Sequence, residues 1–124
     1  MSQKKTILVV EDEKMLSEAY QAILNKKGYK VYVAHDGQDA LDQVKEIEPD
    51  LILLDLRMPR MGGIEFLKTY QPASKHAKVK IVVFSNLDSQ KEIDEAYGLG
   101  AHKYILKAWA SPNELTKLVK EMIG

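Results

Sequence analysis

Short apolar runs recur along the chain at strand length: ILVV (7–10), VYVA (31–34), LILL (51–54), KIVVF (80–84) and KYIL (103–106). Several are continuous rather than alternating, the pattern of strands covered on both faces. The segments between them repeat at helical spacing. Met15, Leu16, Ala19, Tyr20, Ile23 and Leu24 form one stripe, closed by Lys26, Lys27 and Gly28. Ala40, Leu41, Val44 and Ile47 form a second, with Asp36 placed as its N-cap. Ile64, Leu67 and Lys68 mark a third, and Ile93, Ala96 and Tyr97 a fourth that ends at Gly98 and Gly100. The fifth holds Leu115, Leu118, Val119 and Met122. It opens on Ser111-Pro112-Asn113-Glu114: a capping serine, a proline at the first helical position and a glutamate set for a capping box.

Strand then helix, repeated five times, predicts an α/β fold with a parallel sheet and helices on both faces. Right-handed crossovers close such a chain as a doubly wound sandwich. Five strands and five helices suit the flavodoxin-like order 2-1-3-4-5. The 124 residues are enough for one domain with a real core, and no repeat, low-complexity stretch or linker divides them. The segment QPASKHAKVK (71–80) reads as a solvated basic loop.

Composition excludes several functions. The 18 basic and 18 acidic residues cancel, which leaves no charge footprint for nonspecific binding to nucleic acid or to an anionic membrane. There is no cysteine, hence no disulfide framework and no thiolate metal site. No segment approaches the ~20 apolar residues of a membrane span, and the polar N-terminus lacks a signal-peptide pattern, so a cytoplasmic location is expected.

In a doubly wound sheet, ligands bind beyond the carboxyl ends of the strands, at the switch point beside strands one and three. Strand one runs into Glu11-Asp12-Glu13, strand three into Asp55, strand four into Ser85-Asn86 and strand five into Lys107. Carboxylates crowded at one sheet edge repel and lose solvation unless a cation joins them. Glu11, Asp12 and Asp55 would make a hard, all-oxygen cage suited to Mg²⁺, which prefers to share phosphate oxygens. Lys107 could bring a point charge to a phosphoryl group and Ser85 a hydrogen bond. Asp55 could be the nucleophile, because carboxylates form acyl phosphates.

Taken together, VVEDE, LILLDLRMPRMGG, VVFSN and YILK resemble the receiver domain of two-component response regulators, over essentially the whole chain. The resemblance implies a phosphorylatable signalling switch in which Asp55 takes a phosphoryl group from a sensor histidine kinase or phosphotransfer protein. It implies Mg²⁺ held directly by Asp12 and Asp55, by Glu11 through water, and by the backbone carbonyl of Arg57. Ser85 and Lys107 would bind the phosphoryl oxygens, and Tyr104 matches the aromatic switch that turns inward when Ser85 moves. Catalysis would extend only to self-phosphorylation and self-dephosphorylation. An unidentified downstream protein would be the target, with no direct contact to nucleic acid or membrane.

Simpler readings stand beside these. Glu13 is expected only to cap the first helix, where negative charge is favoured. Tyr104 serves equally as a half-buried sheet residue. Met58 and Met61 suit packing under a loop, and Pro59 a turn. His35, His76 and His102 are scattered and read as surface residues. A pseudo-receiver, binding partners without phosphorylation, is the alternative function. A flavodoxin-like electron carrier is disfavoured because EDE would repel a cofactor phosphate. A haloacid-dehalogenase-type phosphatase would need its aspartate pair two residues apart after strand one.

The chain departs from the family pattern at three places. Ala108, not proline, follows Lys107, so a trans Lys107-Ala108 bond is expected. Gly62 precedes Gly63 where an acidic residue is common. His102 and Lys103 replace acidic residues that help build dimers in the transcription-factor branch, so a monomer or a weak phosphorylation-dependent dimer is expected. Residues 1–124 are expected to form a single receiver domain with no output domain in this chain, which is either a single-domain regulator or a piece cut from a longer one.

Overall fold

The computed structural model describes residues 4–85, 90–107 and 111–124. Its elements run β1 (Thr6–Val10), α1 (Lys14–Lys26), β2 (Lys30–Ala34), α2 (Gly37–Gln43), β3 (Leu51–Asp55), α3 (Gly63–Tyr70), α4 (Pro72–Lys75), β4 (Lys80–Ser85), α5 (Gln90–Gly98), β5 (Lys103–Leu106) and α6 (Pro112–Ile123). The strands form one parallel sheet in the order β2-β1-β3-β4-β5. The five expected helices are present, joined by the single-turn α4.

Continuous apolar strands need cover on both faces, and alternate residues divide between two cores. Leu8, Val10, Ile52, Leu54, Ile81 and Val83 pack with Phe66 and Leu67 of α3 and Ala96 of α5. Ile7, Val9, Leu51, Leu53, Val82 and Phe84 pack with Tyr20 and Leu24 of α1 and Leu115, Leu118 and Val119 of α6. Each fully buried aliphatic side chain contributes about 1.5–3 kcal/mol relative to exposure, which makes the register costly to slip.

Local chemistry sets the ends. Asp36 caps α2 by accepting the Asp39 N–H at 2.8 Å, and Ser111 caps α6 by accepting the Glu114 N–H at 3.2 Å. Three expectations need correction. The second helix stops at Gln43, with Val44 as its C-cap, although Val44 and Ile47 still pack against the core. The stretch 71–80 is not loop throughout. Gln71 adopts a left-handed conformation at φ 53° that ends α3, and Pro72 then starts the one-turn α4. His76 stacks on Tyr70 at 4.1 Å between ring centroids, so it is a packed, half-buried residue.

Candidate functional site

The strand register brings the expected residues to one edge. Val10 pairs with both Ala34 and Leu54, so Glu11 leaves β1 beside the end of β3, where Asp55 is the last strand residue. The Glu11 N–H donates to the Ala34 carbonyl at 2.9 Å, which extends the ladder one residue and turns the side chain into the fold. Glu11 and Asp55 are buried, at 2% and 6% exposure, whereas Asp12 is exposed. One carboxylate oxygen from each of Glu11, Asp12 and Asp55 lies within 4.8 Å of the others.

Lys107 enters from the end of β5. Its Nζ lies 2.6 Å from Glu11 Oε1 and 2.8 Å from Asp55 Oδ2, with only 10% of the side chain exposed. The remaining oxygens are also engaged. Glu11 Oε2 accepts the Glu13 N–H at 3.2 Å, and Asp55 Oδ1 accepts the Arg57 N–H at 3.2 Å. Glu13 occupies the N-cap position of α1, but its side chain makes no capping bond. The N-cap position is the one expected, and the part of Glu13 in the site is its backbone N–H.

Burial raises the Glu11 carboxyl from 4.5 to about 7; the Asp55 charge adds to this, while the Lys107 hydrogen bond opposes it. For Lys107, burial alone would lower the ammonium, but hydrogen bonds to Asp55 and Glu11 carry it above its ordinary value. The ammonium is thus held charged between two acceptors. In chemical terms the donors fit a small hard divalent cation: carboxylates of three residues converge, with no imidazole or thiolate among them. Arg57, on the loop just after Asp55, is exposed, and its backbone N–H joins it to Asp55.

Tyr104 is half-buried on β5 and packs against the core that holds Ala96 and Val83. Ser85 ends β4, paired in register with Leu106, which places its backbone at the same sheet edge. The Ser85 side chain, Asn86, Leu87 and the Lys107-Ala108 bond lie outside the described residues, so the trans expectation is untouched. Met58 and Met61 pack against the core as expected. His35 and His102 are exposed as whole residues; His102 Nδ1 accepts the Ile81 N–H at 3.0 Å, and partial desolvation of the ring together with Lys80 lowers its imidazolium pKa.

The partners of Asp36 could not be read from the sequence. Besides capping α2, this buried carboxylate accepts Arg60 Nε at 2.6 Å on Oδ2, which also meets Arg60 Nη2. Beside it the two segments approach closely, where the Gly37 N–H donates to the Met61 carbonyl at 2.8 Å.

Comparison with known proteins places this geometry in context. The chain is similar to the chemotaxis protein CheY4 of Vibrio cholerae, with 27% identity, a TM-score of 0.88, and coverage of 97% of this chain and 99% of that one. It is similar to a CheY-like receiver domain protein of Methanospirillum hungatei JF-1 (26% identity, TM-score 0.90, coverage 98% and 94%). The receiver domain of Francisella response regulator 1452 is a further likeness (27% identity, TM-score 0.85, coverage 97% of each chain). The family model of the response regulator receiver domain matches residues 7–120, nearly the whole chain, and this protein belongs to that family.

Proposed function

We propose that this receiver domain is a phosphorylation switch in which Asp55 accepts a phosphoryl group with Mg²⁺ bound. The observation that carries the reading is the convergence of the Glu11, Asp12 and Asp55 oxygens within 4.8 Å, with the Lys107 ammonium on two of the three. Glu11, Asp12, Asp55 and the Arg57 carbonyl would hold the ion. When bound, Mg²⁺ neutralises charge between these carboxylates and the phosphoryl oxygens.

The chain's own residues do the rest. An Asp55 carboxylate oxygen bonds to phosphorus as the N–P bond of a donor phosphohistidine breaks, and the imidazole nitrogen keeps the electron pair and takes a proton. Asp55 is pre-oriented by the Arg57 N–H on Oδ1 and by Lys107 on Oδ2. Lys107 then passes from carboxylate to phosphoryl oxygens, and Ser85, at the end of the adjoining strand, bonds another. Water reverses the modification, releasing phosphate and regenerating the carboxylate. Tyr104 would carry the change to the β5 face. The donor is a sensor histidine kinase or phosphotransfer protein and the target a further protein. The cytoplasm is the proposed compartment; no described helix is long and apolar enough to cross a membrane.

Incubation with a small acyl-phosphate donor and Mg²⁺ should add one phosphoryl group by intact mass, lost in Asp55→Asn and on chelation. Equal labelling of Asp55→Asn would refute the assignment. An unlabelled wild type would leave a binding module that works without phosphorylation.

A further inference from the structure

The loop from Leu56 to Gly62 carries Arg57, whose N–H holds Asp55 Oδ1 and whose carbonyl is the candidate ion ligand. Its base is closed by the Gly63 N–H on the Leu56 carbonyl at 3.0 Å, and its tip is folded by the Met61 N–H on the Pro59 carbonyl at 2.8 Å. Gly63 admits no side chain there, since an added Cβ would lie 2.6 Å from the Asp55 carbonyl oxygen.

The tip is fastened to a different part of the fold, the β2–α2 junction. Arg60 adopts φ 65°, a left-handed conformation that a long side chain takes only when its surroundings hold it there. Its side chain is 73% exposed, yet Nε and Nη2 both close on Asp36 Oδ2, whose own side chain is 3% exposed. Asp36 is itself fixed, because Oδ1 takes the Asp39 N–H. The next residue completes the fastening: the Gly37 N–H bonds to the Met61 carbonyl at 2.8 Å, and a Cβ at Gly37 would lie 2.6 Å from Met61 Cγ and 2.7 Å from that oxygen. Arg57 and Met58 thus span two anchored points, the loop base on β3 and the tip on α2.

From this arrangement we infer that Asp36 and Arg60 are positioning residues: their ion pair holds the loop so that the Arg57 backbone is aimed at Asp55 and at the ion. The inference rests on the proposed phosphorylation switch. Asp36 and Arg60 are not bonded to Asp55; they act through the loop that carries Arg57.

Two variants separate positioning from mere stability. Arg60→Gly keeps the left-handed backbone accessible but removes the guanidinium, and Asp36→Asn keeps a capping side chain but removes the charge. In metal-free protein, amide exchange at Arg57 should accelerate about tenfold or more in both variants, with Gly37 following. Mg²⁺ affinity, measured by calorimetry with the ion alone, should fall severalfold, less than the about tenfold or more that loss of a group bonded directly to a ligand costs. Labelling by the acyl-phosphate donor should slow accordingly, and Arg60→Lys should recover part of each effect. Lowered thermal stability with unchanged Arg57 exchange and Mg²⁺ affinity would overturn the inference. A wild type that binds Mg²⁺ and is labelled, beside variants that match it, would overturn the clamp and leave the switch standing. A wild type that does neither would refute the switch, and the exchange measurement on metal-free protein would still decide the clamp.

Discussion

Replacing Glu11 by glutamine should make the metal-free protein more stable at alkaline pH. Glu11 is buried with Oε1 against Lys107, and burial is the main reason its carboxyl titrates at about 7 instead of 4.5. That difference amounts to on the order of 3 kcal/mol between its two protonation states. Between pH 4.5 and 7 the folded chain keeps a proton that the unfolded chain has released. Stability therefore falls as pH rises through this window, by up to roughly 3 kcal/mol, and the Glu11 contribution is flat above it. Glutamine does not titrate, so the variant should gain on wild type across the same window, less whatever its amide forfeits at Lys107. Urea denaturation with a chelator at about pH 5 and pH 8 reads the difference directly, because other titrating groups cancel between the two proteins. Adding Mg²⁺ at pH 8 should stabilise wild type and do much less for the variant, since metal and proton compete for the same carboxylate. Mg²⁺ affinity of wild type should climb with pH until about 7. A wild-type-minus-variant difference equal at both pH values would refute the reasoning.

Further consequences are local. Gly37→Ala forces a Cβ to 2.6 Å from Met61 Cγ and 2.7 Å from its carbonyl, and should cost about 1–3 kcal/mol by denaturant titration; an unchanged midpoint would mean that the loop yields. Ser111→Ala removes the acceptor of the Glu114 N–H and should cost about 1 kcal/mol, read as a lower Tm. His102 accepts the Ile81 N–H only while Nδ1 is unprotonated, and its pKa lies below the ordinary value. Its contribution is thus present above about pH 6.5 and lost as pH falls through its lower folded value. His102→Ala should flatten that part of the stability profile, and parallel profiles for the two proteins would contradict it.

Sheet order and core were legible because they rest on local signals with long reach. A continuous apolar run implies two covered faces, and alternation with helical stripes leaves few topologies. The candidate site was legible for a related reason. Glu11, Asp12, Asp55 and Lys107 each stand just past an apolar run, and the topology alone brings those ends together. What escaped depends on contacts that carry no pattern. Val44 continues the apolar stripe of α2, yet the helix has ended, because packing against the core does not require helical backbone at that position. The one-turn α4 is too short to show periodicity, and it forms on a left-handed Gln71 and a stacked His76. Arg60 meets Asp36 across 24 residues of sequence, and nothing in either local segment names the other.

The acidic strand end, a liability when read in the sequence alone, is resolved by an arithmetic of charge. Glu11, Asp12 and Asp55 bring three carboxylates together, and Lys107 supplies one ammonium. Two negative charges would remain if every carboxylate were ionised. The fold meets this shortage in two ways. Asp12 stays exposed, where water screens it, and Glu11, the most deeply buried of the three, holds its proton toward neutral pH. A divalent cation would supply the missing charge and release that proton. The same carboxylates therefore explain both the strain of the metal-free site and its readiness for an ion. Lys107 sits where either state needs it, on the carboxylates now and within reach of a phosphoryl group on Asp55 once the ion has taken over their charge.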